Sequence, residues 1–190
     1  IWTEDRGIVR LDREGLRQAS AEAAARLIAM ACVCAGGGVR RPAGAHVARV
    51  ADRLRGSGAF VATLAGARVM ADAEQVLIAR EAGERGRGGL MPVTLSVGQT
   101  AVWDGRFAVT CDRSDQTLRG LSGVARRLPA DQRRRLTDVP AGARGGLPAL
   151  VDTEGRVTSP VLAGVPGVTV VSLIGERLAA ATGQVMREPD

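Results

Sequence analysis

Apolar side chains recur at steps of three and four residues between positions 12 and 34, and this spacing predicts a helix with one apolar face. Asp12 stands at its start and belongs to the residue types whose side chain accepts a hydrogen bond from an exposed backbone N–H of the first turn. The glycine run 36–38 follows the last apolar position, and glycine is unfavourable inside helices. The pattern therefore predicts a single helix over 12–34 that ends at these glycines.

The rest of the first half predicts one more helix and a pair of strands. Valine and leucine recur at helical spacing over 43–55, after Pro42 and before the glycine-containing stop at 56–58. The segments 60–69 and 75–81 are rich in residues that favour strands, and a short polar stretch separates them. We expect these two segments to form a β-hairpin that packs on the two helices.

Glycine, proline and charged residues dominate the segment GERGRGGLMP (83–92). This composition is typical of a flexible linker, because glycine and proline interrupt regular structure. The segment does not have the spacing of a G-x-G-x-x-G dinucleotide loop. We therefore expect a domain boundary near residue 88, with one domain over 1–88 and a second over 89–190.

The second half begins with a predicted hairpin and continues into a helix. VTLSVG (93–98) and VWDGRFAVTC (102–111) have strand character, and Asp104-Gly105 is a dipeptide that suits a tight turn between twisted strands. A helix is predicted over 129–136, since proline is tolerated in the first helical turn.

Short strands are expected after this helix. The segments 147–152 and 159–165 are predicted strands around a turn at 153–155, and the β-branched run 168–174 is the last predicted strand. The whole pattern predicts an α+β fold: a small helical domain with a β-hairpin, followed by a small α+β domain.

Composition limits the chemistry that the chain can perform. All 26 basic residues are arginine and the net charge is +6, so a phosphate-binding loop of the GK[ST] type and a Schiff-base lysine are both excluded. Coding bias explains the arginine excess better than selection for nucleic acid does, because alanine and glycine are also abundant. The longest apolar run, 27–35, is too short to span a bilayer, and three cysteines without a pairing pattern favour a reducing cytoplasm.

The cysteines and the single histidine do not form a recognisable catalytic or metal site. Cys32 and Cys34 lie two positions apart in a predicted helix and so face different directions, while Cys111 lies in a predicted strand. We expect all three to be structural thiols. His46 has no cluster of ligands around it in the sequence and no G-x-S-x-G nucleophile accompanies it, so we expect a helix-surface histidine rather than a hydrolase or a metal site.

Acidic residues at predicted turns are expected to be solvated. Asp104, Asp152 and Glu154 all occupy such positions, where carboxylates commonly bond to nearby backbone N–H groups. No catalytic residue is predicted from them.

A local concentration of arginine is the main chemical signal in the sequence. Residues 119–144 contain seven arginines and two aspartates, a net +5. Arginine donates hydrogen bonds in a fixed fork that matches phosphate oxygens. Three of these arginines, 133–135, are consecutive and so splay over roughly 200° of a helix, which prevents all three from facing one partner. From composition alone, a solvated surface and contact with RNA remain equally supported, and no interleaved aromatic residues predict base stacking.

Five weak motifs, taken in order, resemble the bacterial tRNA(Ile)-lysidine synthetase family. Residues 7–56 resemble the helical region after its catalytic domain, where a glycine pair ends one helix and a basic, proline-containing segment follows. The stretch 62–83 is similar to its hairpin, and VWDGRFAV (102–109) to the start of its C-terminal region. LPADQRRRL (128–136) and the segment 145–164 resemble its ending. The family's ATP-binding loop, Ser-Gly-Gly-x-Asp-Ser, does not occur in this sequence, and the last 25 or so residues have no clear counterpart.

The resemblance implies that this chain is the tRNA-binding part of a longer ligase. In that family the full enzyme adenylates the wobble cytidine of an isoleucine tRNA with ATP and Mg²⁺, and lysine then displaces AMP to form lysidine. That chemistry would lie in an N-terminal domain outside this sequence, so ATP and Mg²⁺ are expected there and no cofactor here. The implied partners are tRNA(Ile) and, for the full enzyme, lysine, in the cytoplasm and without a membrane.

With tRNA as the implied partner, arginines become candidate phosphate contacts. The candidates lie next to the glycine run and in the basic second half: Arg40, Arg41, Arg126, Arg127, Arg133, Arg134, Arg135 and Arg144. The alternative is a protein-interaction scaffold in which the same arginines form a solvated surface.

Overall fold

The computed structural model describes residues 1–183 and has an α+β fold, as the pattern predicts. The helices are α1 (Arg13–Gln18), α2 (Ala21–Ala35), α3 (Gly44–Arg55), α4 (Ala130–Leu136), α5 (Ala141–Arg144) and α6 (Ile174–Ala181). The strands are β1 (Trp2–Glu4), β2 (Ile8–Asp12), β3 (Phe60–Leu64), β4 (Ala67–Ala71), β5 (Gln75–Arg80), β6 (Val93–Thr94), β7 (Thr100–Trp103), β8 (Phe107–Cys111), β9 (Thr117–Gly120), β10 (Pro148–Val151), β11 (Val157–Thr158) and β12 (Val168–Ser172). Two short 3-10 helices occupy Ala82–Arg87 and Ala125–Arg127.

The predicted single helix over 12–34 is two helices. Asp12 caps α1 as expected, because its Oδ2 accepts a hydrogen bond from the Gly15 backbone N–H at 2.6 Å. Ala19 is extended, and Ser20 starts α2 by accepting from the Ala23 N–H at 3.1 Å. The break follows from the preference of serine for the N-cap, which a pattern of apolar spacing alone does not detect.

The predicted hairpin of the first half is part of a larger sheet. Five antiparallel strands lie in the order β1-β2-β5-β4-β3, and helices α1, α2 and α3 contribute their apolar faces to the core beside it. The two-residue turn at Ala65 and Gly66 divides the predicted strand 60–69 into β3 and β4, and both residues have positive φ. Such turns match the twist of adjacent strands.

The second half also departs from its predicted strands. Strands β7 and β8 form the hairpin, and Trp103 pairs with Phe107 across the loop that contains Asp104 and Gly105. VTLSVG (93–98) lies outside both of these strands, and its β6 portion pairs with β9 instead. The predicted strand 159–165 is wrong, because this segment forms turns, whereas β10 and β12 agree with the prediction.

The glycine-rich segment after β5 is ordered rather than a flexible linker. Residues 82–87 form a 3-10 helix whose N-terminus is capped by Glu81, since its carboxylate accepts from the Gly83 N–H at 3.0 Å. Leu90 follows and is 3% exposed. The linker prediction failed because local composition does not show that a distant part of the chain anchors the segment.

Helix α6, which the sequence pattern does not predict, packs on the first half of the chain. Ile174 and Leu178 join the core formed by α2 and the five-stranded sheet. Ile8 and Ala79 of the first half in turn belong to a core with α4, α5 and β10. The boundary near residue 88 stays a prediction, and residues 184–190 of the predicted second domain lie outside the described residues.

The glycines at the end of α2 are the point where three turns meet. A Cβ on Gly36 would lie 2.1 Å from the Ala65 carbonyl oxygen, and one on Gly37 would lie 1.9 Å from that of Asp104. Backbone can approach backbone this closely only without side chains. We call this contact, formed by residues 36–38 with the β3–β4 and β7–β8 turns, the glycine junction.

Candidate nucleic-acid interface

A buried ionic cluster fixes the two halves of the chain against each other beside the glycine junction. The Asp104 carboxylate accepts hydrogen bonds from Arg80 at 2.8 and 2.9 Å and from Arg106 at 2.8 Å. It also accepts from the Leu90 backbone N–H at 3.1 Å, which anchors the chain after the 3-10 helix 82–87. We call Arg80, Asp104 and Arg106 the Asp104 cluster.

The prediction that Asp104 is a solvated turn residue is therefore wrong. Its side chain is 5% exposed, because residues far away in sequence cover the turn. Burial lowers the pKa of Arg106 to about 10, while the neighbouring Asp104 charge opposes this shift, so Arg106 stays protonated at neutral pH. By contrast, Asp152 and Glu154 pair with the exposed Arg156 at a turn, as expected for solvated carboxylates.

Helix α4 presents its arginines to solvent because its other face is bonded to the core. Gln132 is 4% exposed, and its Oε1 accepts from the Ser159 backbone N–H at 2.7 Å. The Ser159 hydroxyl donates in turn to the Pro148 carbonyl at 2.7 Å. This chain of hydrogen bonds leaves Arg133, Arg134 and Arg135 exposed, so the predicted helix has the predicted charged surface.

Backbone carbonyls hold several of these arginines in place. Arg133 donates to the Leu128 carbonyl at 2.7 Å, and Arg135 donates to the Leu162 carbonyl at 3.1 Å, so the two guanidinium groups extend in different directions. Arg144 is partly buried and donates to the Val139 carbonyl at 2.8 Å.

None of the predicted contact arginines forms an ion pair with an acidic side chain within residues 1–183. In that range, no acidic side chain lies at bonding distance from any of these eight guanidinium groups. Such an arrangement suits a polyanion, because a phosphate does not need to displace a carboxylate.

Two arginines outside the predicted set, Arg119 and Arg85, lie beside the α4 region. Arg119 on β9 donates to the Ser122 carbonyl at 3.2 Å. Burial, followed by the nearby charges of Arg85 and Arg127, lowers the pKa of Arg119, which indicates that the three guanidinium groups share one region of the surface. Arg126 and Arg133 adjoin it, since Arg133 reaches the Arg126 carbonyl at 3.5 Å. We call Arg119, Arg126, Arg127 and Arg133 the α4 arginine group.

Arg40 and Arg41 lie at a separate cleft beside the glycine junction. Both are exposed, and both line a cavity of about 380 Å³ together with His46 and Arg87. We call Arg40 and Arg41 the cleft arginines, and Arg87 lies beside them at the end of the 3-10 helix 82–87. His46 is exposed on α3, which confirms that it is a helix-surface residue.

The structure places five of the eight predicted contacts in these two groups, whereas Arg134, Arg135 and Arg144 belong to neither. Arg40 and Arg41 line the cleft, whereas Arg126, Arg127 and Arg133 lie in the α4 arginine group. Arg85 and Arg87 lie near these groups but were not among the predicted contacts, because their segment was predicted to be a linker. Two arginines in the short sequence GERGR were the available signal.

The cysteines are structural, as predicted. All three are buried, and burial raises the pKa of Cys32 to about 12, so its reactive thiolate is absent at neutral pH. Within residues 1–183, no three His, Cys, Asp or Glu side chains are grouped closely enough to hold a metal ion. None of the helices in this range has the length and apolar character needed to cross a membrane.

Comparison with known proteins supports the family resemblance. The chain is 36% identical over 188 residues to a tRNA(Ile)-lysidine synthase of Caulobacter vibrioides, an alignment that covers 96% of this chain and 46% of that protein. The chain therefore spans about half the length of the curated relative that it matches. No family model and no solved structure matches the chain. The similarity predicted from the order of five motifs is confirmed.

Proposed function

We propose that this chain is the C-terminal, tRNA-binding part of a tRNA(Ile)-lysidine synthase. The observation that carries the proposal is the 36% identity to such an enzyme over 96% of the chain. The exposed arginines without acidic partners support it, since they provide a surface for phosphate.

The complete enzyme would be an ATP-dependent ligase of the cytoplasm that acts in tRNA modification. It would join lysine to the wobble cytidine of tRNA(Ile), and the residues that bind ATP and Mg²⁺ would lie in a part of the protein outside this chain. The residues present here would bind tRNA and perform no bond-making step. Their contribution would be to hold the substrate in position, because a bound substrate has already lost the freedom that a bimolecular reaction must otherwise remove.

The local geometry is suited to this role. Arg133, Arg135 and Arg144 each donate to a backbone carbonyl, so their side chains are restrained before any ligand binds. A restrained side chain loses less conformational entropy on binding than a free one. Their remaining N–H groups stay available for phosphate oxygens.

The salt dependence of RNA binding tests this proposal. The full chain and an unmodified transcript of tRNA(Ile) would be mixed in filter-binding experiments from low to physiological salt. We expect log K to fall linearly with log salt concentration, with a slope of about −0.7 to −0.9 per phosphate contact. Absence of binding at low salt, or a flat response, would contradict the proposal.

A scaffold module that binds another protein is the alternative, and the similarity to a lysidine synthase does not favour it. The coding sequence upstream of Ile1 discriminates between the two. An in-frame Ser-Gly-Gly-x-Asp-Ser loop supports the ligase, whereas a start codon directly before Ile1 supports the module.

A further inference from the structure

We propose that Arg85 and Arg87, on the 3-10 helix 82–87, are RNA phosphate contacts that join the cleft arginines to the α4 arginine group as one binding track. The inference rests on the proposed function and adds residues and a path to it. Without this helix the two groups of arginines would be separate patches, each able to hold only a few phosphates.

Arg87 lies on the side of the 3-10 helix 82–87 that faces the cleft. It lines the same cavity as Arg40 and Arg41, and its side chain is 67% exposed. Arg87 pairs with Glu84 on the same helix. Surface pairs of this kind contribute little to stability, so a phosphate is able to compete for the arginine.

Arg85 lies on another side of the 3-10 helix 82–87, the side near the α4 arginine group. A 3-10 helix has 3.0 residues per turn, so side chains two positions apart diverge by roughly 120° and Arg85 cannot share the direction of Arg87. The start of the helix packs near Ser122: a Cβ on Gly145 would lie 2.7 Å from the Ala82 Cβ and 3.5 Å from the Ser122 Cβ. Arg85 follows Ala82 by one 3-10 turn and so lies on the same face of the helix, the face beside Ser122. The Ser122 carbonyl holds Arg119, and the charges of Arg85 and Arg127 both act on Arg119.

The helix between the two groups is held at both ends. Glu81 caps its first turn, and the carboxylate of Glu81 is itself paired with Arg68 at 3.2 Å. After the helix, the Gly89 N–H donates to the Glu84 carbonyl at 3.0 Å and the Leu90 N–H donates to Asp104. The backbone that carries Arg85 and Arg87 is therefore fixed relative to the rest of the surface.

The track suits the RNA backbone rather than the bases. Base stacking needs exposed aromatic rings, but Phe60, Trp103 and Phe107 are all buried. Only Trp2 is exposed among the aromatic residues, and it lies on β1, outside both arginine groups. The contacts of Arg85 and Arg87 would thus add affinity with little dependence on RNA sequence.

Single and double substitutions test the track. The variants R85S, R87S and R85S/R87S of the full chain would be titrated with an unmodified tRNA(Ile) transcript at several salt concentrations. Removing one phosphate contact reduces the magnitude of the log K against log salt slope by about 0.7 to 0.9, so we expect roughly twice that change for the double variant. Affinity at low salt should fall by about tenfold per arginine, since fewer counterions are released for each phosphate contact that is lost. Circular dichroism should show an unchanged fold.

The matched control is R17S/R113S, which removes the same charge elsewhere. Arg17 contacts Glu14 and the Ala73 carbonyl, and Arg113 contacts the Pro166 carbonyl, so neither belongs to the arginine groups. If R85S/R87S and this control have the same slope while the unsubstituted chain binds RNA, the track is wrong and the proposed function stands. If the unsubstituted chain does not bind, both proposals are wrong.

Discussion

Several charged side chains are buried in this fold and depend on nearby partners. Arg13 is completely buried, and its guanidinium donates to carbonyls at the end of α3, including Leu54 at 2.8 Å and Gly58 at 2.8 Å. Burial lowers its pKa, and the carbonyl groups at a helix C-terminus compensate because they carry partial negative charge. Arg80 and Arg106 depend instead on a single carboxylate, that of Asp104.

Replacing Asp104 with Asn leaves these two buried arginines without a counter-charge. Asparagine preserves the shape of the side chain and tolerates the φ of +50° at this position, so the removal of the charge is the main change. We expect the free energy of unfolding to fall by about 3–5 kcal/mol, measured by urea denaturation. Glu154→Gln removes an exposed carboxylate and should change the free energy of unfolding by less than about 1 kcal/mol. Equal effects of the two substitutions would contradict the importance of the Asp104 cluster.

Among the elements, the end of α2 is the most sterically restricted. Gly36→Ala introduces a Cβ that would lie 2.1 Å from the Ala65 carbonyl oxygen, so the backbone of the β3–β4 turn must move. We expect a loss of about 1–3 kcal/mol in the free energy of unfolding, as in other overpacked sites, measured by chemical denaturation.

Gly38→Ala is the control for this junction, because a Cβ on Gly38 would have no neighbouring atom within 4 Å. The free energy of unfolding of this variant should remain close to that of the unsubstituted chain. If Gly38→Ala destabilised the protein as much as Gly36→Ala does, the cause would be glycine flexibility rather than close packing.

Helix α4 has one face bonded to the core and one face of exposed arginines, and we expect substitutions on the two faces to have different effects. Gln132→Ala leaves the buried Ser159 N–H without an acceptor, which should lower the free energy of unfolding by about 1–3 kcal/mol in urea titrations. Arg134→Ala changes an exposed side chain and should leave stability within about 0.5 kcal/mol. If Arg134 contacts RNA as predicted, its substitution weakens tRNA binding instead. A large loss of stability in Arg134→Ala would contradict this division.

Elements with a strong local pattern were predicted well, and those defined by distant contacts were not. The apolar spacing of 43–55 predicted α3 correctly, and the β-branched run 168–174 predicted a strand that the structure confirms as far as Ser172, before α6 begins at Ile174. The 3-10 helix 82–87 lacks an apolar face and is anchored through Leu90 by Asp104, which lies 14 residues further along the chain. For the same reason the sequence predicted the exposed arginines of α4 as candidate contacts but did not predict Arg85 and Arg87 as candidates.

At the scale of the whole molecule, the contacts between the halves favour unfolding as one unit. The Asp104 cluster and helix α6 both cross the boundary predicted near residue 88. We expect coincident urea transitions for far-ultraviolet circular dichroism, dominated by α2 and α3, and for fluorescence of the buried Trp103 in a Trp2→Phe background. Two well-separated midpoints would show instead that the halves are independent domains.

Helix α6 also affects the order in which the protein folds during synthesis. Ile174 and Leu178 complete a core whose other members end at Ile78, so the ribosome must add roughly 100 residues, in about 5–20 s, before that core is closed. Until then the nascent chain exposes the apolar surface of α2 that α6 later covers. We therefore expect chaperones that recognise apolar segments to bind the nascent chain at α2, and we expect a chain truncated before residue 174 to be digested by protease faster than the full chain.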